Sequence, residues 1–146
     1  MSIEILDASA EYLPQIHAIE KQSFPDPWTP QQLSAYLTAP GRVLLVAVED
    51  DEVLGYLCLD YVLDEGSVSN IAVAPRHRGR GVGKKLLHAA ETAARDFNLA
   101  FLTLEVRQSN LAAIVLYERA GFEHIGIRKK YYVNPRENAV IMTKNL

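Results

Sequence analysis

Apolar and polar residues follow two different periods along the chain, and each change of period marks a predicted element. Short apolar or β-branched runs predict strands, which are Ser2–Leu6, Val43–Glu49, Val53–Leu59, Val68–Val73, Leu99–Val106, Phe122–Arg128 and Ala139–Lys144. Apolar residues at helical spacing predict helices, which begin near Leu13, after Thr29, after Gly81 and after Asn110. This order predicts an α+β fold, a mixed, mostly antiparallel sheet of about six or seven strands flanked by about four helices.

Residues with strong preferences for helix ends set several boundaries. Thr29 is predicted to be an N-cap, with Pro30 in the first turn and Gln32 closing a capping box. Asn110 and Gly121 bracket the last helix, as its N-cap and its left-handed stop.

Length and composition indicate one soluble domain over residues 1–146. The chain is 49% hydrophobic and 23% charged, and its length allows a sizeable core. It has no apolar stretch long enough for a membrane span and no signal pattern at its start. We therefore expect a cytoplasmic protein with no membrane partner. The oligomeric state is left open.

Cysteine and histidine usage argues against disulfides and metal sites. Cys58 is the single cysteine, so no internal disulfide is possible, and its strand-like setting favours a core role. The histidines show no ligand spacing; they are His17, His77, His88 and His124. We expect no bound metal.

The run from Ile71 to Leu87 joins a strand, a glycine-rich loop and the start of a helix. Glycines let backbone N–H groups converge on a ligand, and a helix N-terminus favours anions. The run contains five of the fifteen basic residues and no acidic one. These are Arg76, Arg78, Arg80, Lys84 and Lys85. The pattern predicts a small polyphosphate ligand, not a nucleic-acid surface.

The loop has three other interpretations. A glycine-rich turn with solvated charges is the alternative on composition alone. A Walker A loop is excluded because Lys84 is followed by Lys85 and not by Ser or Thr. A Rossmann fingerprint is excluded because the glycine spacing is G-x-G-x-G and the strand is not N-terminal.

The segment Arg78-Gly79-Arg80-Gly81-Val82-Gly83 resembles the pyrophosphate-binding signature R/Q-x-x-G-x-G/A of the GNAT superfamily of N-acetyltransferases. The element order resembles that family over nearly the whole chain. The resemblance implies acetyl-CoA as cosubstrate and a strand bulge at Ile71–Val73, beside its pantetheine arm. The implied cofactor-binding residues are Ile71, Ala72, Val73, Arg78, Gly79, Arg80, Gly81, Val82, Gly83, Lys84 and Asn110.

Two residues are candidates for proton transfer. Glu105 interrupts an apolar strand, which is costly unless the carboxylate is paired or faces a cleft. A solvated or Arg-paired glutamate is the alternative. The segment Leu104–Arg107 resembles the RimI branch of the family, which implies Glu105 as proton acceptor. The segment Leu116–Phe122 resembles the family's last helix, which implies that Tyr117 protonates the coenzyme A thiolate; an aromatic packed under the helix is the alternative.

The acceptor is predicted from acidity and from the same resemblance. Freeing an α-amine at pH 7 costs on the order of 1 kcal/mol, whereas freeing a lysine costs about 4–5 kcal/mol. One carboxylate therefore suits an N-terminal amine better. The RimI branch acetylates a ribosomal protein's N-terminus, which implies a similar acceptor with alanine in first position.

The acceptor groove is predicted between the turn Phe24–Trp28 and the connection 129–138. Trp28, Tyr131 and Tyr132 are its candidate contacts, and the tyrosine pair matches the RimI branch. Rim packing is the alternative for this pair.

Three functions remain possible from the sequence. The first is an N-α-acetyltransferase working by direct transfer in a ternary complex, since no activated Ser or Cys is visible. The second is an acetyltransferase acting on a protein lysine, a polyamine or a small amine. The third is a non-catalytic coenzyme A-binding domain.

Overall fold

The computed structural model describes residues 2–146. The strands are β1 (Glu4–Asp7), β2 (Arg42–Glu49), β3 (Glu52–Val62), β4 (Glu65–Val73), β5 (Phe101–Arg107), β6 (Glu123–Val133) and β7 (Arg136–Asn145). The α-helices are α1 (Leu13–Ser23), α2 (Pro30–Ser34), α3 (Val82–Asp96) and α4 (Leu111–Arg119). Across these described residues, none of the helices is long and apolar enough to cross a membrane.

The seven strands form one sheet in the order β1-β2-β3-β4-β5-β7-β6. Neighbouring strands are antiparallel, except that β4 and β5 are parallel. The predicted α+β fold with a mostly antiparallel sheet is confirmed.

The sheet separates two hydrophobic clusters. Residues of α3 and α4 such as Leu86 and Ile114 belong to one cluster, while Ile16 of α1 and Leu33 of α2 belong to the other. Each face of the sheet is thus covered by helices, as a sheet that is apolar on both sides requires.

The predicted helix ends are confirmed where local chemistry determines them. Thr29 and Gln32 form the reciprocal capping box, and the Asn110 side chain accepts a hydrogen bond from the N–H of Ala113 at 3.2 Å. Gly121 follows α4 with φ +97°. The second helix ends at Ser34, after which the chain forms a 3₁₀ turn over Ala35–Leu37.

The last two strands are longer than predicted. Most of the predicted connection 129–138 is strand, and the chain reverses at Asn134–Pro135. The Arg107 guanidinium donates to the carbonyls of Asn134 and Pro135, at 3.0 Å and 2.9 Å, and so fixes this turn on β5. Exposed polar residues on an edge strand hid its length from the hydrophobic pattern.

Pairing between β4 and β5 stops early and leaves a gap inside the sheet. Their ladder joins Glu65–Ser67 to Phe101–Thr103, although both strands continue beyond it. The bulge of β4 against β3 lies at Ser69, since Cys58 pairs with Asn70 and Leu59 with Val68. The expected bulge at Ile71–Val73 is therefore wrong, and those residues keep regular register with β3.

Candidate active site

Two cavities meet at the gap between β4 and β5. The glycine-loop cavity, about 590 Å³, lies along residues 71–84 and the start of α4. The hairpin cavity, about 660 Å³, lies between the proline loop (Phe24–Trp28) and residues 131–133 of β6. Both cavities are lined by Ser23, Phe24, Ile71, Asn110, Ala113 and Tyr117. Two ligands bound in them would meet at these residues.

The glycine loop (Arg78–Gly83) leaves the N-terminus of α3 open to the first cavity. Gly79 and Gly81 have φ values of +82° and +78°, which other residues rarely adopt, and a Cβ on either would meet no atom within 4 Å. Gly81 is the N-cap, and no side chain caps the helix. Unpaired N–H groups at a helix N-terminus form a site for phosphate oxygens.

The five basic residues in and beside the loop differ in their contacts. Arg78 and Lys84 line the glycine-loop cavity. Neither forms an ion pair with a carboxylate of residues 2–146. Arg78 Nε donates to the carbonyl of Val73 at 3.3 Å, which ties the loop back to β4.

Arg80 is held away from that cavity. Its Nη2 lies 2.8 Å from Glu49 Oε2, and its Nη1 lies 3.0 Å from His77 Nδ1. Arg76 pairs in the same way with Glu52. Carboxylates of β2 and β3 thus neutralise two of the five basic residues, which sequence reasoning treated as one group.

The edge of β4 and the start of α4 form the floor between the cavities. Ile71, Ala72 and Val73 line the glycine-loop cavity beyond the last rung shared with β5. Asn110, whose side chain caps α4, faces both cavities. A sheet edge with free backbone groups can pair with an extended ligand.

Glu105 of β5 carries an unsatisfied carboxylate oxygen in the hairpin cavity. Its Oε2 is buried and has no hydrogen-bond partner within residues 2–146, while its Oε1 lies 3.6 Å from Arg128 Nη2. Folded proteins rarely leave such an atom without a partner. The missing partner therefore has to come from a ligand or from solvent.

Tyr117 of α4 lies where the two cavities meet. Its side chain is 6% exposed, and its ring packs against Phe122 with centroids 6.0 Å apart. Burial is the main cause that raises the pKa of its phenol above the ordinary value, and the nearby Tyr132 adds a smaller contribution. The hydroxyl therefore keeps its proton at neutral pH.

An aromatic pair borders the hairpin cavity next to Glu105. Tyr131 and Tyr132 meet edge to face with centroids 5.0 Å apart, and Arg107 lies over the Tyr132 ring at 4.4 Å. Burial raises the pKa of Tyr132 to about 12, with Glu105 adding to the shift. Burial and Glu105 also raise the pKa of Tyr131.

The proline loop forms the opposite wall. The Trp28 ring stacks on the Tyr36 ring with centroids 5.6 Å apart, and the backbone N–H of Trp28 donates to Glu20 Oε2 at 2.9 Å. Asn134 Nδ2 donates to Asp26 at 3.2 Å, which links this wall to the β6–β7 turn.

Sequence reasoning missed Glu20 and the Asp26–Asn134 contact. Glu20 lies four residues after Ile16, so helical spacing places it on the buried face of α1. That signal was present in the sequence. The contact between residues 26 and 134 left no comparable signal, because it depends on the fold. Within residues 2–146, no three His, Cys, Asp or Glu side chains are placed to hold a metal.

Comparisons with known proteins agree with this geometry. The profile of the acetyltransferase (GNAT) family matches residues 13–122. The ribosomal protein bS18-alanine N-acetyltransferase of Haemophilus influenzae is 37% identical over 136 residues, 88% of each chain. That of Salmonella typhimurium is 36% identical over 137 residues, 89% of this chain and 88% of its own. The crystal structure of the Escherichia coli ribosomal-protein-S18-alanine N-acetyltransferase has a TM-score of 0.89 at 31% identity, covering 99% of this chain and 94% of that one.

These matches confirm the predicted family, acyltransferase activity and cosubstrate. The open helix N-terminus, the uncrowded glycines and the free edge of β4 also fit a ligand with a pyrophosphate and an extended arm. The chain belongs to the GNAT family of acetyltransferases and uses acetyl-CoA as its acetyl donor.

Proposed function

We propose that this acetyltransferase modifies the N-terminal α-amine of a ribosomal protein whose first residue is alanine. The observation that carries the proposal is the buried, unpartnered Oε2 of Glu105 in a cavity that joins the glycine-loop cavity at Tyr117. Relatives that bear this activity in their names, at 36–37% identity, support the same acceptor. Because the acceptor is a ribosomal protein, we expect the reaction to take place in the cytoplasm. We further propose that residues 1–146 form the single domain that carries it out.

Acetyl-CoA is proposed to bind in the glycine-loop cavity. The backbone N–H groups of Gly79 to Lys84 and the side chain of Arg78 receive the pyrophosphate. The free edge of Ile71–Val73 and the Asn110 side chain receive the pantetheine arm. Arg80 is assigned a supporting role, because its guanidinium is already paired with Glu49.

Glu105 is proposed to be the general base. Its free Oε2 can take a proton from the acceptor ammonium group, directly or through one water. At pH 7 this deprotonation costs on the order of 1 kcal/mol for an α-amine and about 4–5 kcal/mol for a lysine. A single carboxylate therefore favours a chain terminus as acceptor.

Tyr117 is proposed to be the general acid. The freed amine forms an N–C bond to the thioester carbon, the C–S bond breaks, and the leaving sulfur takes the phenolic proton. The new amide nitrogen then gives its excess proton to the Tyr117 phenolate, directly or through water, which restores the phenol, and Glu105 returns its proton to solvent. Because a thiol is ordinarily more acidic than a phenol, we assign the proton transfer to the same step as C–S cleavage. A thiolate released beside the buried Tyr117 would be a poorly solvated charge, which favours the neutral thiol.

The mouth of the hairpin cavity supports a terminal acceptor. Asp26 of the proline loop and Asn134 of the β6–β7 turn are hydrogen-bonded to each other. A chain end needs less room between two linked walls than a continuous peptide presenting an internal lysine.

A peptide panel tests the acceptor. We expect acetyl transfer to a ribosomal N-terminal peptide beginning with alanine, and none to free lysine or spermidine. The matched control is the same peptide with its α-amine blocked and its lysines free. Mass spectrometry locates the added acetyl group, and a product on a lysine side chain would contradict the proposal.

Replacing Glu105 with glutamine tests the base. We expect Glu105→Gln to lower kcat by at least about 100-fold, the usual scale of general-base catalysis, with little change in acetyl-CoA affinity. Glu123→Gln, an exposed carboxylate at the start of β6, is the control. Rates within twofold of wild type would remove Glu105 from the mechanism.

Replacing Tyr117 with phenylalanine tests the acid. We expect Tyr117→Phe to lower kcat by about 100-fold, whereas Tyr61→Phe, which stacks on Phe97 away from both cavities, leaves it unchanged. A raised pKa moves the loss of the phenolic proton to higher pH, so wild-type kcat should show no fall up to about pH 10. A decline with an apparent pKa well below 10 would contradict the assignment.

Replacing Gly81 with alanine tests the glycine loop. An L-residue in the left-handed region costs about 1–2 kcal/mol, so the exposed loop should relax away from the geometry seen here. We expect Gly81→Ala to weaken acetyl-CoA binding about tenfold, measured by calorimetry. Gly126→Ala is the control, because Gly126 has neither a positive φ nor a close neighbour. Equal affinities for the two variants would exclude the loop as the phosphate site.

A further inference from the structure

Glu20 is a buried carboxylate that the proposed chemistry does not use. It is 1% exposed and is the one charged side chain fully buried within residues 2–146. Its Oε1 accepts hydrogen bonds from the Tyr56 hydroxyl and from Asn70 Nδ2. Its Oε2 accepts one from the backbone N–H of Trp28. Three donors from three segments of the chain thus meet on one carboxylate of α1.

The proline loop has few other backbone bonds to hold it. Pro25 and Pro27 have no N–H to donate. The Phe24 N–H bonds back to the carbonyl of Glu20 at 3.1 Å, and the Trp28 N–H bonds to the Glu20 side chain at 2.9 Å. Glu20 therefore holds both ends of the loop, one through its backbone and one through its carboxylate.

The same carboxylate links the loop to the floor of the hairpin cavity. Asn70, which donates to Glu20 at 2.6 Å, follows the bulged Ser69 on β4 and lines this cavity, as Trp28 does. Glu20 thus sets the spacing between one wall of the cavity and its floor, without belonging to the Glu105–Tyr117 pair.

We propose that Glu20 is a positioning residue that holds the proline loop in place for acceptor binding. The inference rests on the proposed function only in placing the acceptor in the hairpin cavity. A carboxylate is needed because both of its oxygens accept hydrogen bonds. A glutamine amide has one accepting oxygen, so its NH₂ group would face either the Trp28 N–H or the Tyr56 and Asn70 donors.

The experiment compares Glu20→Gln with Tyr56→Phe. The second variant removes one donor from the same carboxylate and leaves the bond to Trp28 intact, which makes it the matched control. Steady-state kinetics give kcat and the KM values of acceptor peptide and acetyl-CoA. Trp28 is the only tryptophan in the chain, so intrinsic fluorescence reports on the loop without any acceptor.

For Glu20→Gln we expect the acceptor KM to rise about tenfold, the scale of one lost hydrogen bond to a charged group. The acetyl-CoA KM and kcat should stay within about twofold, since neither the glycine loop nor Glu105 is touched. Trp28 emission in the free enzyme should shift, whereas Tyr56→Phe should leave both the emission and the acceptor KM unchanged. Glu20→Asp keeps the carboxylate but moves it away from its donors by one methylene. It should shift the Trp28 emission and raise the acceptor KM as Glu20→Gln does, and it replaces that variant in the test if Glu20→Gln does not fold.

Three results would overturn the inference. Equal rises in acceptor KM for Glu20→Gln and Tyr56→Phe would mean a general loosening of the core. An unchanged acceptor KM would mean that Glu20 only stabilises the fold. A raised KM without any shift in Trp28 emission would mean that Glu20 contacts the acceptor directly. If wild type modifies a different amine, the proposed acceptor fails, whereas the fluorescence comparison still decides whether Glu20 holds the loop.

Discussion

The structure depends on the early end of hydrogen bonding between β4 and β5. Backbone N–H and C=O groups in a sheet normally pair on both sides, yet here the parallel ladder ends at Ser67 and Thr103. The gap is bordered by α4, which starts just after β5 and brings Asn110 and Tyr117 to its edge. Both cavities depend on this interruption, because the hairpin cavity is lined by β4 and β5 and the glycine-loop cavity by the end of β4 beyond the ladder.

Two glutamates near this gap differ in their hydrogen bonding, and the difference suits one to a structural role and the other to a chemical role. Both oxygens of Glu20 accept hydrogen bonds, from three donors in all, which offsets the cost of burying it. Glu105 has one oxygen near Arg128 and the other without a partner among the described residues. A satisfied carboxylate stabilises one arrangement of the chain, whereas an unsatisfied one gains most from a proton or a donor that arrives with a substrate.

The sequence predicted those parts of the fold and site that rest on neighbouring residues. The caps at Thr29 and Asn110 and the stop at Gly121 depend on local hydrogen bonds and dihedral angles, and the glycine loop depends on its own spacing. The ion pair of Arg80 with Glu49, 31 residues earlier, depends on where the sheet brings β2. Periodicity carries no information about such a contact. For that reason the prediction grouped all five basic residues at the phosphate site, although two of them are paired with carboxylates of the sheet.

The charges around the two cavities differ in a way that suits two substrates of opposite charge. Arg78 and Lys84 line the glycine-loop cavity, whereas Asp26 and Glu105 line the hairpin cavity, where the one arginine of the lining, Arg107, is paired with Glu137. Under the proposed function, the anionic pyrophosphate is attracted to the first and the cationic ammonium group to the second. Ion pairs with Glu49 and Glu52 neutralise Arg80 and Arg76, so the cationic side chains that remain in the lining of the first cavity are those of Arg78 and Lys84. Opposite fields at the two ends therefore orient both reactants toward Tyr117, where the cavities join.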